Sequence, residues 1–541
     1  MGYTPPVPHD SEDLRRRLEA ETRPETLTRL SLDSIQVPGL TVLYHPDLQR
    51  IGERVALTGL AAGREELLSR REPLFSQPGQ GYVHPLGDLY LSRSPIQLAA
   101  GGEPGAVLLD CRETSMPVLV DGEPVSGVRE LSAAEVERGV VLLLAHRVVL
   151  LLSRLDPLPP TGLPDFGLVG ESVPVIRLRQ EIRRVADLAV PVLLRGETGT
   201  GKELVARALH EAGPRRHRPF FTINMGALPP TLAAAELFGA TRGSFTGADR
   251  ARTGYFSRAH GGTLFLDEIG ETPPEVQVLL LRTLETGEIQ PVGGEPQRVD
   301  VRLIAATDAD LEAASAAGRF RAPLLHRLAG YEVRLPPLRA RRDDFGRLLL
   351  CFLRQELEAM GELHLLATPP DGRPWLPAPL VARLAAFAWP GNLRQLRNAV
   401  RRIAVAGRGA GEVTEGPWTE GLFLDAAVPD PAEAVPAAPA AAKTPRKEYR
   451  RPEEVGDEEL LAALRANRWL LKPTAEQLGI SRTSLYSKIE KSPTIRKAAD
   501  LSRQEIAECS ERCKGDLDAM VAVLEVSKRG LQRRMAQLGL G

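Results

Sequence analysis

Two stretches of this chain carry the residue types that handle phosphate esters. Arg195-Gly196-Glu197-Thr198-Gly199-Thr200-Gly201-Lys202-Glu203 follows an apolar, strand-like run from Val190 to Leu194 and leads into Leu204-Val205-Ala206-Arg207-Ala208-Leu209, which reads as a helix. Strand, glycine loop and helix in that order make an anion cradle, because backbone N–H groups and the positive helix end face the same point. The spacing Gly196-x4-Gly201-Lys202 places an ammonium where the outer phosphates of a nucleotide would lie. Glu203 stands where a Ser or Thr would normally touch Mg²⁺. The second stretch, Gly261-Gly262-Thr263-Leu264-Phe265-Leu266-Asp267-Glu268, is an apolar strand ending in two carboxylates, 65 residues after Lys202. Asp267 there is a candidate Mg²⁺ ligand, direct or through water, and Glu268 a candidate to polarise the attacking water. Together the two stretches predict nucleotide binding and hydrolysis with Mg²⁺.

The elements that must position these groups follow from composition along the chain. The 541 residues suit three or four domains. The net charge of −1 provides no global field for a nucleic acid or a membrane. Cys111, Cys351, Cys509 and Cys513 are too few and too scattered for a disulfide framework, and the last two, four apart, read as one helix face. No signal peptide is read at the N-terminus, and the very apolar run Gly139 to Leu152 is short and carries His146 and Arg147, so two buried strands are expected there and a cytoplasmic protein overall.

Residues 1–35 are a polar lead-in. Residues 36–154 hold short apolar runs separated by Gly, Pro and Asp, the pattern of a β-sandwich. Residues 155–166, rich in proline, read as a stiff linker. Alternating strands and amphipathic helices over 167–335 predict a parallel sheet flanked by helices, and 336–410 a helical lid. Residues 411–450 are an Ala- and Pro-rich linker, and 451–541 are helical.

This last region repeats itself. Leu478-Gly479-Ile480-Ser481-Arg482-Thr483-Ser484-Leu485 aligns with Leu524-Glu525-Val526-Ser527-Lys528-Arg529-Gly530-Leu531, 46 residues later. Each copy has a helix, a turn with an N-capping residue, and a second basic helix, Ser481 to Glu490 and Ser527 to Gln537. Residues 443–541 hold 20 Lys/Arg against 15 Asp/Glu, a local net of +5 that suits double-stranded DNA. Arg482, Thr483, Ser484, Tyr486 and Lys488 are the candidate contacts of the first copy, and Lys528, Arg529, Gln532 and Arg533 of the second. Which copy reads bases is left open, as is a pure dimerisation hairpin.

Between the two phosphate-handling stretches lies Gly243-Ser244-Phe245-Thr246-Gly247-Ala248, for which phosphate chemistry has no use. Glycines around one aromatic and one hydroxyl suit a loop offered to a partner. The segment resembles the Gly-Ala-Phe-Thr-Gly-Ala loop of bacterial enhancer-binding proteins, the AAA+ ATPases that activate sigma-54 RNA polymerase. That resemblance spans residues 167–406 and implies roles residue by residue. Phe245 and Thr246 would contact the sigma factor, and Asn224 would restrain Glu268. Ile304-Ala305-Ala306-Thr307-Asp308 resembles the sensor I strand, with Asp308 in place of the usual Asn, a charge that would oppose hydrolysis. Phe320-Arg321-Ala322-Pro323-Leu324-Leu325-His326-Arg327 resembles the arginine-finger segment, so Arg321 and Arg327 would reach a neighbour's nucleotide in a homo-oligomer, expected to be a hexamer. Pro323 replaces an Asp; proline is accommodated in a first helical turn but not in a helix interior, so finger placement turns on where that helix starts. Trp389-Pro390-Gly391-Asn392-Leu393-Arg394 resembles the sensor II motif, which gives Arg394 a nucleotide contact.

Two flanking resemblances complete the expectation. Gly63-Arg64, Leu91-Ser92-Arg93 and Val120-Asp121-Gly122-Glu123-Pro124-Val125 resemble a forkhead-associated domain, implying that Arg64, Ser92 and Arg93 bind a phosphothreonine protein; Pro95 and Met116 depart from its usual His and Asn. The terminal units resemble the Fis-type helix-turn-helix, above all Arg533-Arg534-Met535-Ala536-Gln537-Leu538. The resulting expectation is an ATP-driven activator that remodels sigma-54 RNA polymerase from an upstream site. The alternative is a DNA-binding regulator on a degenerate, poorly hydrolysing scaffold, favoured by Asp308 and Pro323.

Overall fold

The computed structural model describes residues 36–79, 81–156, 162–244, 251–367, 373–416, 419 and 423, and in the C-terminal region 456–467, 469, 471–480, 485, 488–489, 492, 501–513, 517–524, 526, 531 and 534–535. Two compact units divide the chain, the first ending at Pro431.

The first unit begins with the expected sandwich. One sheet has six antiparallel strands, in the order Arg54–Ala56, Val37–Tyr44, Val148–Leu155, Val140–Leu144, Val118–Val120 and Glu123–Val125. It faces a four-stranded sheet of Glu66–Leu68, Ile96–Ala100, Val107–Asp110 and Val128–Leu131. The run from Gly139 to Leu152 is the hairpin Val140–Leu144 and Val148–Leu155, and its lack of polar alternation has a structural cause. Val140, Leu142, Leu144, Val148, Leu150 and Leu152 fill the sandwich interior. Val141, Leu143, Val149 and Leu151 point the other way, into a core shared with the lid helices. A strand covered on both faces reads as continuous hydrophobe. This strand also corrects the expected boundary: Leu155 is its buried last residue, so the linker starts beyond it.

The next layer is a five-stranded, all-parallel sheet ordered Phe220–Asn224, Thr263–Asp267, Arg302–Thr307, Val192–Arg195, Tyr331–Arg334. Val192–Arg195 and Thr263–Asp267, which end in the two phosphate-handling stretches, flank Arg302–Thr307. Their C-terminal ends therefore open on one edge, the usual ligand side of such sheets. The lid follows as helices Phe345–Ala359, Ala378–Ala386 and Asn392–Ala406 around Leu349, Leu353, Trp389, Leu396 and Val400. Gly346 lets the first of these lie directly on the sandwich: a Cβ there would sit 2.1 Å from the Leu43 carbonyl oxygen. Tyr44 Oη donates to the Leu376 carbonyl at 2.6 Å, and Arg342 donates to Gly139 at 2.6 Å and Ala385 at 3.0 Å.

The second unit carries the repeat in its core. Leu460, Ala463, Ala475, Leu478, Ile480 and Leu485 are buried, and so are the residues 46 positions later, Ile506, Cys509, Val521, Leu524, Val526 and Leu531. Cys509 and Cys513 are free thiols on one helix face, Sγ to Sγ 3.9 Å. Among the described residues no helix is long and apolar enough to cross a membrane.

Candidate active site

The phosphate loop sits between Val192–Arg195 and the helix Lys202–Glu211. Gly201 (φ 99°) and Gly199 (φ 80°) are left-handed, and a Cβ on Gly199 would lie 2.4 Å from the Gly391 carbonyl oxygen of the lid. Only glycine combines that backbone with that approach. Lys202 Nζ donates to the Gly196 and Glu197 carbonyls at 2.7 and 3.2 Å. Burial pulls its ammonium below the usual lysine range, against the pull of Asp308 and Asp267.

Asp267 ends its strand inside the cleft, and burial raises its carboxyl above the usual range while its Oδ1 accepts the Glu268 N–H at 3.0 Å. Glu268 is exposed and left-handed (φ 55°), a conformation that costs a non-glycine residue roughly 1–3 kcal/mol. The turn aims its carboxylate over Gly226, where a Cβ would meet Glu268 Oε2 at 2.6 Å and Asn224 Oδ1 at 3.4 Å. Asn224 itself accepts the Ala227 N–H at 3.1 Å, so it borders Glu268 and is anchored to the following turn. Thr198 Oγ1 donates to Asp308, which brings that carboxylate onto the phosphate loop.

These groups open on a cavity of about 430 Å³, lined among others by Lys202, Asp267, Glu268, Asp308, Arg394 and Arg397. Arg394 lines it from the lid helix Asn392–Ala406. Arg397, one turn further along the same helix face, was missed although its spacing from Arg394 announces it. Glu203 lines the cleft as well but pairs with Arg207 at 3.1 Å. Among the described residues no group of three or more His, Cys, Asp or Glu is poised to hold a metal. Mg²⁺ needs no such cage: it is held by one or two carboxylates together with nucleotide phosphates, and Asp267 beside Glu268 fits that demand.

A second set of contacts went unread in the sequence. Glu197 accepts a two-pronged bond from Arg339 at 2.8 and 2.5 Å, which holds its carboxyl below the usual range. Asn392, fully buried and left-handed (φ 51°), donates to Glu197 and to the Thr198 carbonyl, both at 3.1 Å, and accepts the Leu338 N–H at 2.8 Å. Leu393 N–H donates to the Gly199 carbonyl at 3.0 Å. Lid and phosphate loop are therefore stitched by side chains and backbone together.

Arg321 is the N-cap of the helix Ala322–Leu328, which puts Pro323 in its first turn. The substitution is one the helix accommodates. Arg321 and Arg327 are exposed, Arg327 lies 3.7 Å from Glu285, and neither lines the cavity of its own chain. In the sandwich, Arg64 is exposed, whereas Ser92 is half-buried with its Oγ 3.4 Å from Ser115 Oγ. Ser92 is joined to Arg70, whose N–H donates to its carbonyl at 3.0 Å, and to Met116, whose sulfur takes its N–H at 3.5 Å. Phe245 and Thr246 lie outside the described residues. So do Arg482, Thr483, Ser484, Tyr486, Lys528, Arg529, Gln532 and Arg533, leaving Lys488, helical and half-buried, as the described one of that set.

A family model described as the sigma-54 interaction domain matches residues 168–334, and one for the bacterial regulatory protein, Fis family, matches residues 451–491. Regulatory protein LuxO of Vibrio cholerae serotype O1 is 44% identical over 239 residues, 44% of this chain and 43% of LuxO. The DNA-binding transcriptional regulator NtrC of Escherichia coli K12 is 45% identical over 247 residues, 46% of this chain and 51% of NtrC. The chain spans about half the length of these two relatives. The transcriptional regulatory protein ZraR of Salmonella typhimurium is 39% identical over 340 residues, 62% of this chain and 70% of ZraR. With the phosphate loop, the Asp267–Glu268 strand end and the Fis-type region in one chain, and a relative matched over that much of its length, the chain belongs to the sigma-54 activator family of bacterial transcription regulators.

Proposed function

We propose that the protein is an ATP-hydrolysing transcriptional activator that remodels sigma-54 RNA polymerase while bound to DNA upstream of the promoter. The observation that carries the reading is the cleft itself, where Lys202, Asp267, Glu268 and Arg394 converge on one cavity beside a glycine loop. Lys202 and the loop amides bind the phosphates, and Arg394 closes over them from the lid. Asp267 would hold Mg²⁺, which when bound would offset the charge of the phosphates. Glu268 orients the attacking water and takes its proton. Exposed Arg321 and Arg327, which do not line the cavity of their own chain, act on a neighbour's nucleotide in a cytoplasmic ring, a hexamer on this reading. The test is ATP turnover across a range of protein concentrations: specific activity should rise with concentration, and a flat profile would remove the shared-site ring.

Phe245 and Thr246 deliver the stroke to the sigma factor. Thr246→Ala is expected to abolish promoter opening while ATPase activity stays within about twofold; equal loss of both would break the division of labour. The helix-turn-helix repeat tethers the ring to double-stranded DNA through its basic second helices.

The N-terminal sandwich senses a phosphothreonine protein through Arg64, Ser92 and Arg93, with Arg70, tied to Ser92, as a further contact. Arg64→Ala is expected to weaken binding of a phosphothreonine peptide about tenfold, as loss of a charge-assisted contact would. A wild-type protein that does not prefer the phosphorylated peptide over the plain one would end the sensing role. A second reading, weak hydrolysis on a retained scaffold, keeps one observation in its favour: Asp308 places a carboxylate against the phosphate loop.

A further inference from the structure

The seven-residue segment Leu338–Asp344 touches two distant parts of the first unit at once. At its start, Leu338 is bonded to Asn392 and Arg339 grips Glu197 of the phosphate loop. At its end, fully buried Asp344 accepts the Glu171 N–H at 2.6 Å, the Ser172 N–H at 2.9 Å and the Ser172 hydroxyl at 2.5 Å. Between the ends, Arg341 departs from helical geometry (φ −138°, ψ 42°).

The sandwich reaches into the same cluster. Arg54 lies 3.0 Å from Asp343 and 3.8 Å from Asp344, and it donates to the Glu171 carbonyl at 2.9 Å. Its backbone pairs with Ser76 at 2.8 and 3.0 Å, and the lid's Arg347 donates to the next residue, Gln77, at 2.6 Å. Ser76 and Gln77 lie in the irregular run that also holds Arg70 and Ser92. A contiguous set of bonds therefore joins the sandwich's candidate recognition loop to the phosphate loop.

We infer that Arg54 is a positioning residue for the nucleotide site: through Asp343, Asp344 and the segment Leu338–Asp344, the sandwich sets how Arg339 holds the phosphate loop. The inference rests on reading that loop as an adenine-nucleotide site. The apolar contact between sandwich and lid, with Leu43, Tyr44, Val149 and Leu151 in one core with Phe345 and Trp375, argues against control by undocking. Separation would bare that core, so a signal acts by shifting the hinge within an assembled unit.

Coupling of this kind is reciprocal and typically worth 5- to 150-fold in affinity. The experiment uses the full chain, a fluorescent ADP analogue, and amide exchange of residues 52–57 with and without ADP. Arg54→Met is expected to keep wild-type circular dichroism and to weaken ADP binding about fivefold or more. Gln77→Leu, which removes a half-buried hydrogen-bond partner of Arg347 without changing any charge, should shift binding the same way by less, and carries the comparison should Arg54→Met not fold. ADP should slow exchange at residues 52–57 of the wild type. Unchanged ADP affinity in the folded variants, or exchange in the sandwich that ignores ADP, overturns the inference alone. Wild-type protein that binds no ADP overturns the nucleotide reading and the inference with it.

Discussion

Glu268→Gln is expected to lower ATP turnover by a factor of ~10²–10⁴ while leaving nucleotide affinity nearly unchanged, the usual range for loss of a positioned general base. The geometry separates Glu268 from its neighbours in this respect. Lys202 and Asp267 sit inside the cleft, where their charges meet phosphate and metal, so neutralising either should weaken binding as well as rate. Glu268 lines the same cavity but is exposed and left-handed, and its Oε2 stands over Gly226. Glutamine preserves that shape and removes only the proton acceptor. Turnover and affinity measured on the same preparation decide the case. A variant that keeps more than about a tenth of wild-type turnover would take the base role from Glu268 and give weight to the poorly hydrolysing alternative, in which Asp308 dominates the charge around the γ-phosphate.

What could be read from the sequence divides by the range of the signal. The glycine loop, the Asp267–Glu268 strand end and the paired apolar strands are local patterns, and each is dictated by backbone geometry within about ten residues. The 46-residue repeat was legible for the same reason, since each copy buries its own matching positions. The doubly covered strands near residues 140–155 announced that they were buried, but not by what, because an apolar face carries no address. The least legible residues are the charged ones at junctions. Arg54, Asp344, Glu197 and Arg339 look like solvated surface in a chain of this composition, and, Arg341 beside Asp344 apart, the side-chain partners that build this junction lie 142 to roughly 290 residues away. Burial turns such groups into fixed bonds, and burial is a property of the assembled layers. Asn392 stands two residues before Arg394 in the same motif, yet its left-handed backbone and its three bonds, to Leu338 and to the phosphate loop at Glu197 and Thr198, appear only once the lid meets the loop.

Asp344→Ala is expected to destabilise the first unit by about 3–5 kcal/mol, the cost of removing one member of a buried ionic cluster. Asp344 is fully buried and satisfies two backbone N–H groups, one hydroxyl and Arg341 Nε at 3.1 Å. Alanine would leave those donors without an acceptor and leave the Arg341 charge buried with less compensation, which costs more than the original bonds contribute in net terms. Asp344→Asn tests the mechanism further. The amide oxygen can still accept from a backbone N–H, but its NH₂ group faces the arginine, so an intermediate loss is expected. Urea midpoints at neutral pH, read by a signal from the α/β layer, would measure both. If Asp344→Ala costs less than about 1 kcal/mol, the cluster relaxes or admits water freely. The segment Leu338–Asp344 would then be too loosely held to transmit strain between sandwich and phosphate loop. A large loss with an intermediate asparagine would instead show that this junction is held by the carboxylate's charge as well as its shape, which a hinge under two-sided control requires.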